Sequence, residues 1–262
     1  MERRQSLSLL KLWCPNVYNT GDLFNAMPVV SGLSKAFGDQ VRFVVPDCFQ
    51  QIFGFKEFME FQPCIKELVF RCEVLNMDES SYIVTTYTQN DFRGLTERPI
   101  RPTETMRHQE FIRENYPNIT WMVDDNFKFH VDDIAVPSTE GKYVIGDRWS
   151  KVSDTRRAWN IFRDSGLFDD ESKFYFLDYE TYSLMDNACI INNSEKPFLG
   201  TFTGSGMLAD LLGKENYCLY DDSMVDPPWN GMPIEFSYWK HHYANRPNKL
   251  FHLNDPFIRN LP

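Results

Sequence analysis

Apolar positions along the chain fall into short β-branched runs that alternate with stretches of helical spacing. That alternation predicts an α/β fold with mainly parallel strands. Leu7–Cys14 is the first apolar run, and Pro15 ends it. Leu23, Phe24, Met27, Val30, Leu33 and Phe37 then recur at intervals of three and four, the mark of one helix face, with Gly38 as C-cap. Val41–Val45 follows as a strand closed by Pro46. Strand, loop, helix and strand in this order make a βαβ unit. Cys48–Phe61 reads as helix, Ile65–Phe70 and Tyr82–Tyr87 as strands, 88–105 as a loop rich in Thr, Arg and Pro, and His108–Tyr116 as a short helix.

Val131–Gly141 interrupts the series with acidic residues, Pro137 and Ser138, a linker composition. A second series then runs Tyr143–Ile145 strand, Thr155–Ser165 helix, Phe174–Leu177 strand and Thr181–Asn193 helix. Phe198–Phe202 strand, Gly206–Leu212 helix and Tyr217–Tyr220 strand complete it. The expectation is two Rossmann-like, doubly wound domains facing a central cleft, over 1–137 and 138–235. The tail 236–262, with a helix over Phe236–Tyr243, is expected to pack back on the first domain.

Composition narrows the function classes. With 42% hydrophobic and 24% charged residues in 262, the chain is an ordinary globular one. Its formal net charge of −10 disfavours nucleic acid as main partner, because such a protein needs a basic face to displace counterions. A local basic groove stays compatible with it. The six cysteines show no Cys-x-x-Cys and form no zinc pattern with the five histidines, so free thiols of a cytoplasmic protein are expected. Leu7–Trp13 is broken by Lys11 and is too short for a signal core, and no later run reaches eighteen apolar residues. No membrane span is expected.

Three loops carry candidate chemistry, each following a predicted strand, at the edge where open α/β sheets bind ligands. The first is Asn19-Thr20-Gly21-Asp22, with Asn25 one turn on. Asp22 there is either a helix N-cap or a carboxylate able to take a proton from a hydroxyl. The second runs from Gly146 and brings Arg148, Lys151, Arg156 and Arg157 within ten residues. These cations would hold a diphosphate, or form ion pairs on a solvated helix start. The third is Gly200-Thr201-Phe202-Thr203-Gly204-Ser205-Gly206, whose small residues before a helix leave backbone N–H groups for an anion. Between the last two, Asp178 and Tyr179 would bind a nucleoside or form a polar turn. Nucleophile-elbow, phosphate-loop and complete dinucleotide-binding motifs do not occur.

With these loops in order, the sequence resembles the heptosyltransferase-like glycosyltransferases of the GT-B fold. Gly21-Asp22-Leu23-Phe24-Asn25-Ala26-Met27-Pro28 is similar to the family's first signature, Phe198 to Lys214 to its second, and Arg157-Ala158-Trp159 to its basic-x-Trp element. The resemblance implies a compact GT-B-like arrangement with an acceptor-side first domain and a donor-side second domain. It implies inverting, metal-independent transfer from a nucleotide-diphosphate sugar to a hydroxyl acceptor, without a further cofactor. Asp22 would be the general base, and Asn19, Thr20, Gly21 and Asn25 would line the acceptor-side loop. Arg157 with its basic neighbours, and the Thr203, Gly204, Ser205, Gly206 turn, would hold the phosphates. Where the family carries an acid for the sugar hydroxyls, Phe202 stands here. The alternatives are a nucleotide- or glycan-binding protein of the same fold without catalysis, and a glycosyltransferase acting on modified DNA bases.

Overall fold

The computed structural model describes residues 11–13, 20–38, 40–70, 81–83, 124, 126–146, 153–201, 203–222 and 248–262. The chain divides into two units, Met1–His130 and Val131–Pro262. Each is a mixed α/β body built on a parallel sheet.

The first unit contains β1 (Lys11–Trp13), α1 (Thr20–Phe37), β2 (Val41–Val45), α2 (Phe55–Glu60), β3 (Ile65–Phe70) and β4 (Ser81–Ile83). Its strands are all parallel, in the order β3-β2-β1-β4. β1 is central, and the winding reverses beside it, so the start of α1 leaves the sheet at a topological switch point. The core is aromatic, with Phe24, Phe43, Phe49, Phe55 and Phe58 fully buried. Phe129 closes it, its ring 5.1 Å from that of Phe24 and 5.0 Å from that of Phe58. This segment is tied down twice. Asp124 donates its N–H to the Pro28 carbonyl at 3.0 Å. His130 N–H donates to Gln62 Oε1 at 2.9 Å while Gln62 Nε2 donates back to the His130 carbonyl at 3.2 Å.

One element differs from its sequence reading. Cys48–Phe61 is not one helix but a 3-10 turn, Asp47–Gln51, followed by α2. Gly54 separates them at φ 70, a left-handed conformation that glycine adopts without steric cost. The apolar spacing carries across the break because Phe49 and Phe55 stack face to face at 5.0 Å, which is tertiary packing and not helical periodicity. The predicted helix over 108–116 lies outside the described residues.

The second unit contains β5 (Tyr143–Ile145), α3 (Ser153–Asp164), β6 (Phe174–Phe176), α4 (Leu184–Asn193) and β7 (Phe198–Gly200). It continues with α5 (Gly204–Leu211), β8 (Asn216–Tyr220), β9 (Asn248–His252) and α6 (Pro256–Arg259). All five strands are parallel, in the order β6-β5-β7-β8-β9. Counted within the unit this is 2-1-3-4-5, whose switch point lies between the ends of β5 and β7. Its core joins Ile145, Trp159, Phe162, Leu199 and Leu219 to Leu253, Ile258 and Leu261.

That core corrects the reading of the tail. Residues 248–262 are built into the second unit: β9 pairs along its whole length with β8, from Asn216↔Asn248 to Tyr220↔His252, and the last apolar residues seal the second core. The 236–247 part, with its predicted helix, lies outside the described residues. The sequence boundary at 137/138 also differs from the structural division after His130. Cys189 Sγ donates to the Asp132 carbonyl at 3.2 Å, holding the acidic stretch on the second unit.

Smaller shifts have local causes. α4 starts at Leu184 and not at residue 181, because Ser183 caps it in a reciprocal box with Asp186. β7 ends at Gly200, and α5 starts at Gly204, since Thr203 N–H turns back to the Thr201 carbonyl at 2.7 Å.

Candidate functional site

In the second unit the parallel strands send every following loop to one edge of the sheet. The loops after β5, β6 and β7 carry Gly146, Tyr179 and Thr201–Ser205 respectively. Gly146 prolongs the ladder, donating its N–H to the Leu199 carbonyl at 3.2 Å. A Cβ placed on Gly146 would lie 3.4 Å from Trp159 Cζ2, 3.6 Å from Ser205 Cβ and 3.7 Å from Phe198 Cζ. The missing side chain therefore leaves a small hollow between the indole of α3 and the first turn of α5.

Polar groups on the segments that follow β5 and β7 are incompletely matched. Trp159 is 5% exposed, and its Nε1–H has no hydrogen-bond partner. Nε1 and Cζ2 share one edge of the indole, so the donor lies on the edge turned toward Gly146. Thr201, directly after β7, is 1% exposed, and its hydroxyl is also without a partner. Thr203 occupies the N-cap position of α5 with extended backbone, yet its side chain caps nothing. The first N–H groups of an α-helix have no acceptor inside the helix, and its dipole places partial positive charge there. Buried donors without acceptors are costly, and a ligand oxygen would satisfy them.

Tyr179 and Ser205 come together. The phenol and the Ser205 hydroxyl are 3.0 Å apart, linking the loop after β6 to the first turn of α5. Gly204 lies in the same turn and Gly206 is buried beneath it, its carbonyl accepting from Asn216 Nδ2 at 3.3 Å. Asp178 serves its own loop: Oδ1 accepts from Glu180 N–H at 2.8 Å and Thr181 N–H at 3.0 Å. The hydrogen bonds from Thr181, side chain and backbone, and from Glu180 hold this carboxyl below its ordinary range. Asn187 Nδ2 steadies the same loop through the carbonyls of Asp178, Tyr182 and Ser183.

The other sequence candidates are placed by backbone. Arg156 and Arg157 lie in the first two turns of α3, on the segment that follows β5. Thr20, Gly21, Asp22 and Asn25 lie in the first two turns of α1. Because that helix already begins at Thr20, Asp22 is its third residue and stands inside the first turn, where a carboxylate suits the helix dipole. Asn19, Arg148 and Lys151 lie outside the described residues. Among the described residues no three His, Cys, Asp or Glu side chains converge as metal ligands, and no helix is long and apolar enough to cross a membrane.

The sequence analysis placed Gly146 and Thr201 in candidate loops but gave neither a role of its own. The readable signal for Gly146 was a glycine directly after a β-branched strand, which marks close approach of another group. That Thr201 is buried without a partner has no sequence signal.

No protein-family model matches the chain, and a search of curated proteins finds no match. Solved structures do match. The fold is that of family 9 glycosyltransferases. A family 9 glycosyl transferase from Veillonella parvula is similar at a TM-score of 0.54 and 13% identity, over 95% of this chain and 87% of that one. E. coli heptosyltransferase WaaC, solved with ADP, is similar at 0.53 and 12% identity, over 92% and 93%. E. coli ADP-heptose lipopolysaccharide heptosyltransferase II follows at 0.51 and 11%, over 94% of each. The heptosyltransferase-like resemblance read from the signatures therefore extends to the fold of the chain.

Proposed function

We propose that the chain is a glycosyltransferase that binds a nucleotide-diphosphate sugar at the switch point between β5 and β7. One observation carries this reading: buried donors without acceptors, on Trp159 and Thr201, beside the uncapped start of α5. Such a site wants an anionic, oxygen-rich ligand, and a diphosphate is one. That WaaC was solved with ADP on the same fold supports the choice.

In the proposed reaction Asp22 takes the proton of the acceptor hydroxyl. The acceptor oxygen forms a bond to the anomeric carbon as the bond to the diphosphate oxygen breaks, and the configuration inverts. The leaving diphosphate departs with the electron pair. Arg148, Lys151, Arg156 and Arg157, with the N–H groups of the 203–206 turn, offset its charge, the role a divalent metal fills in other transferases. Charge stabilisation at a leaving group is the largest lever such a site has. The domain roles follow: the first unit takes the acceptor and the second the donor.

Phe202, standing where relatives of the signature carry an acid, favours a second reading in which the chain binds the nucleotide-sugar without transfer. Asp22→Asn separates the two. Thermal shift against nucleoside diphosphates and their sugar conjugates identifies the donor, since a ligand bound only by the folded state raises the melting temperature. With that donor, Asp22→Asn is expected to keep the shift and lose roughly 10²–10⁴-fold of the transfer rate. Transfer at the unaltered rate removes Asp22 as base; no transfer by either protein leaves the binding reading.

A further inference from the structure

The stretch 131–141, whose composition reads as a linker, is fastened at its very start. The chain passes from one unit to the other once, between His130 and Val131. On the first side the buried amide of Gln62 grips His130 twice. Its Oε1 accepts the His130 N–H at 2.9 Å, and its Nε2 donates to the carbonyls of His130 at 3.2 Å and Phe58 at 2.8 Å. Phe129, the residue before, is set in the first core. On the second side the buried thiol of Cys189, on α4, plays the same part. Its Sγ donates to the Asp132 carbonyl at 3.2 Å and accepts from the Ile134 backbone N–H. Burial, with the charges of Asp186, Asp132 and Asp133, pushes this thiol up to about 11, so it keeps the hydrogen it donates at neutral pH.

Val131 is the residue left between the two clamps. We propose that it is the joint about which the two units turn, the first unit ending rigidly at His130 and the second beginning at Asp132. The inference goes beyond the donor-binding reading and does not use it. Units with cores of their own move relative to one another by default, and a few loop residues take up the motion. Peptide planes are stiff, so a single free residue offers only two soft torsions. The β-branched side chain of Val131 favours extended backbone and narrows them further. The units therefore swing along a restricted path, where a flexible linker over 131–141 would let them tumble. Releasing a clamp frees more torsions and widens the swing.

The test uses the full chain with Cys14→Ser and Cys72→Ser, spin-labelled at Cys48, exposed in the first unit, and at Glu195→Cys, exposed in the second. Cys64, Cys189 and Cys218 are buried. Pulsed dipolar spectroscopy reads the spread of distances between the labels. Val131→Gly, which lifts the restraint on the joint, is expected to widen that spread about twofold. Cys189→Ala should widen it as much, because it frees Asp132 and Ile134. Cys189→Ser keeps a donor and an acceptor and should leave the spread as it was. Ala135→Gly, exposed and just past the second clamp, should leave it unchanged as well. An unchanged spread in Val131→Gly or in a folded Cys189→Ala overturns the inference, as does equal widening in Ala135→Gly. If Cys189→Ala does not fold, Val131→Gly against Ala135→Gly still decides, since neither residue is buried. Each of these results leaves the donor reading standing.

Discussion

Two glycines at the same sheet edge make opposite predictions. A Cβ on Gly200 would sit 2.8 Å from Cε1 of Phe198, a ring with no exposure, and nothing there can give way cheaply. Gly200→Ala is therefore expected to lower stability by roughly 1–3 kcal/mol, the cost of overpacking a full core. A Cβ on Gly146 meets only ordinary contacts, 3.4 Å and beyond. Gly146→Ala should melt within a few degrees of the unaltered chain, and thermal denaturation of the two variants side by side checks the contrast. Both glycines were visible in the sequence, and their roles were not, because a role depends on which ring stands opposite. The same holds for Tyr179 and Ser205. Each was legible as a candidate in its own loop, but 26 residues of sequence separate them and only the sheet order brings them to 3.0 Å.

At the scale of elements, the strands were the most readable features. Val41–Val45 and Ile65–Phe70 have their sequence-read bounds, since short β-branched runs ended by Pro or polar turns leave few alternatives. Helix starts were less readable where a side chain decides them, as Ser183 and Asp186 do for α4. The segment around Asp124 had no periodicity to reveal it, yet it fastens α1. Asp124 Oδ2 accepts from Ser31 Oγ at 2.6 Å and from Lys35 Nζ at 2.7 Å. Burial pushes this carboxyl up, but hydrogen bonds from Lys35 and Ser31, and the charge of Lys35, hold it below its ordinary value. A carboxyl lowered by folding stabilises the native state above its unfolded pKa of about 4, and that contribution fades as pH falls through the lowered folded value. Asp124→Asn should thus cost about 1 kcal/mol at neutral pH, little of it from Lys35, whose side chain is 68% exposed. Melting curves from pH 7 downward should converge for the two proteins in the acid range; a constant gap would mean that the charge contributes nothing.

For the molecule as a whole, alternating elements were enough to announce parallel α/β units, and the described residues form two sheets, of four and five parallel strands. Strand order was not legible, nor was the placement of β9, because a strand reached from a distant tail leaves no local trace of its neighbour. Strand order is what creates the β5/β7 switch point, and so the proposed ligand site rests on topology more than on any motif. Identity near 12% with WaaC fits that view: the fold persists where few side chains do. The central claim is a diphosphate site at this edge of the second unit. Calorimetric titration of the unaltered chain and Gly146→Ala with the nucleoside diphosphate that gives the largest thermal shift tests it most directly. The account predicts saturable binding by the unaltered chain and at least tenfold weaker binding by Gly146→Ala, whose added methyl fills the hollow beside Trp159. Equal affinity in the two proteins would contradict it.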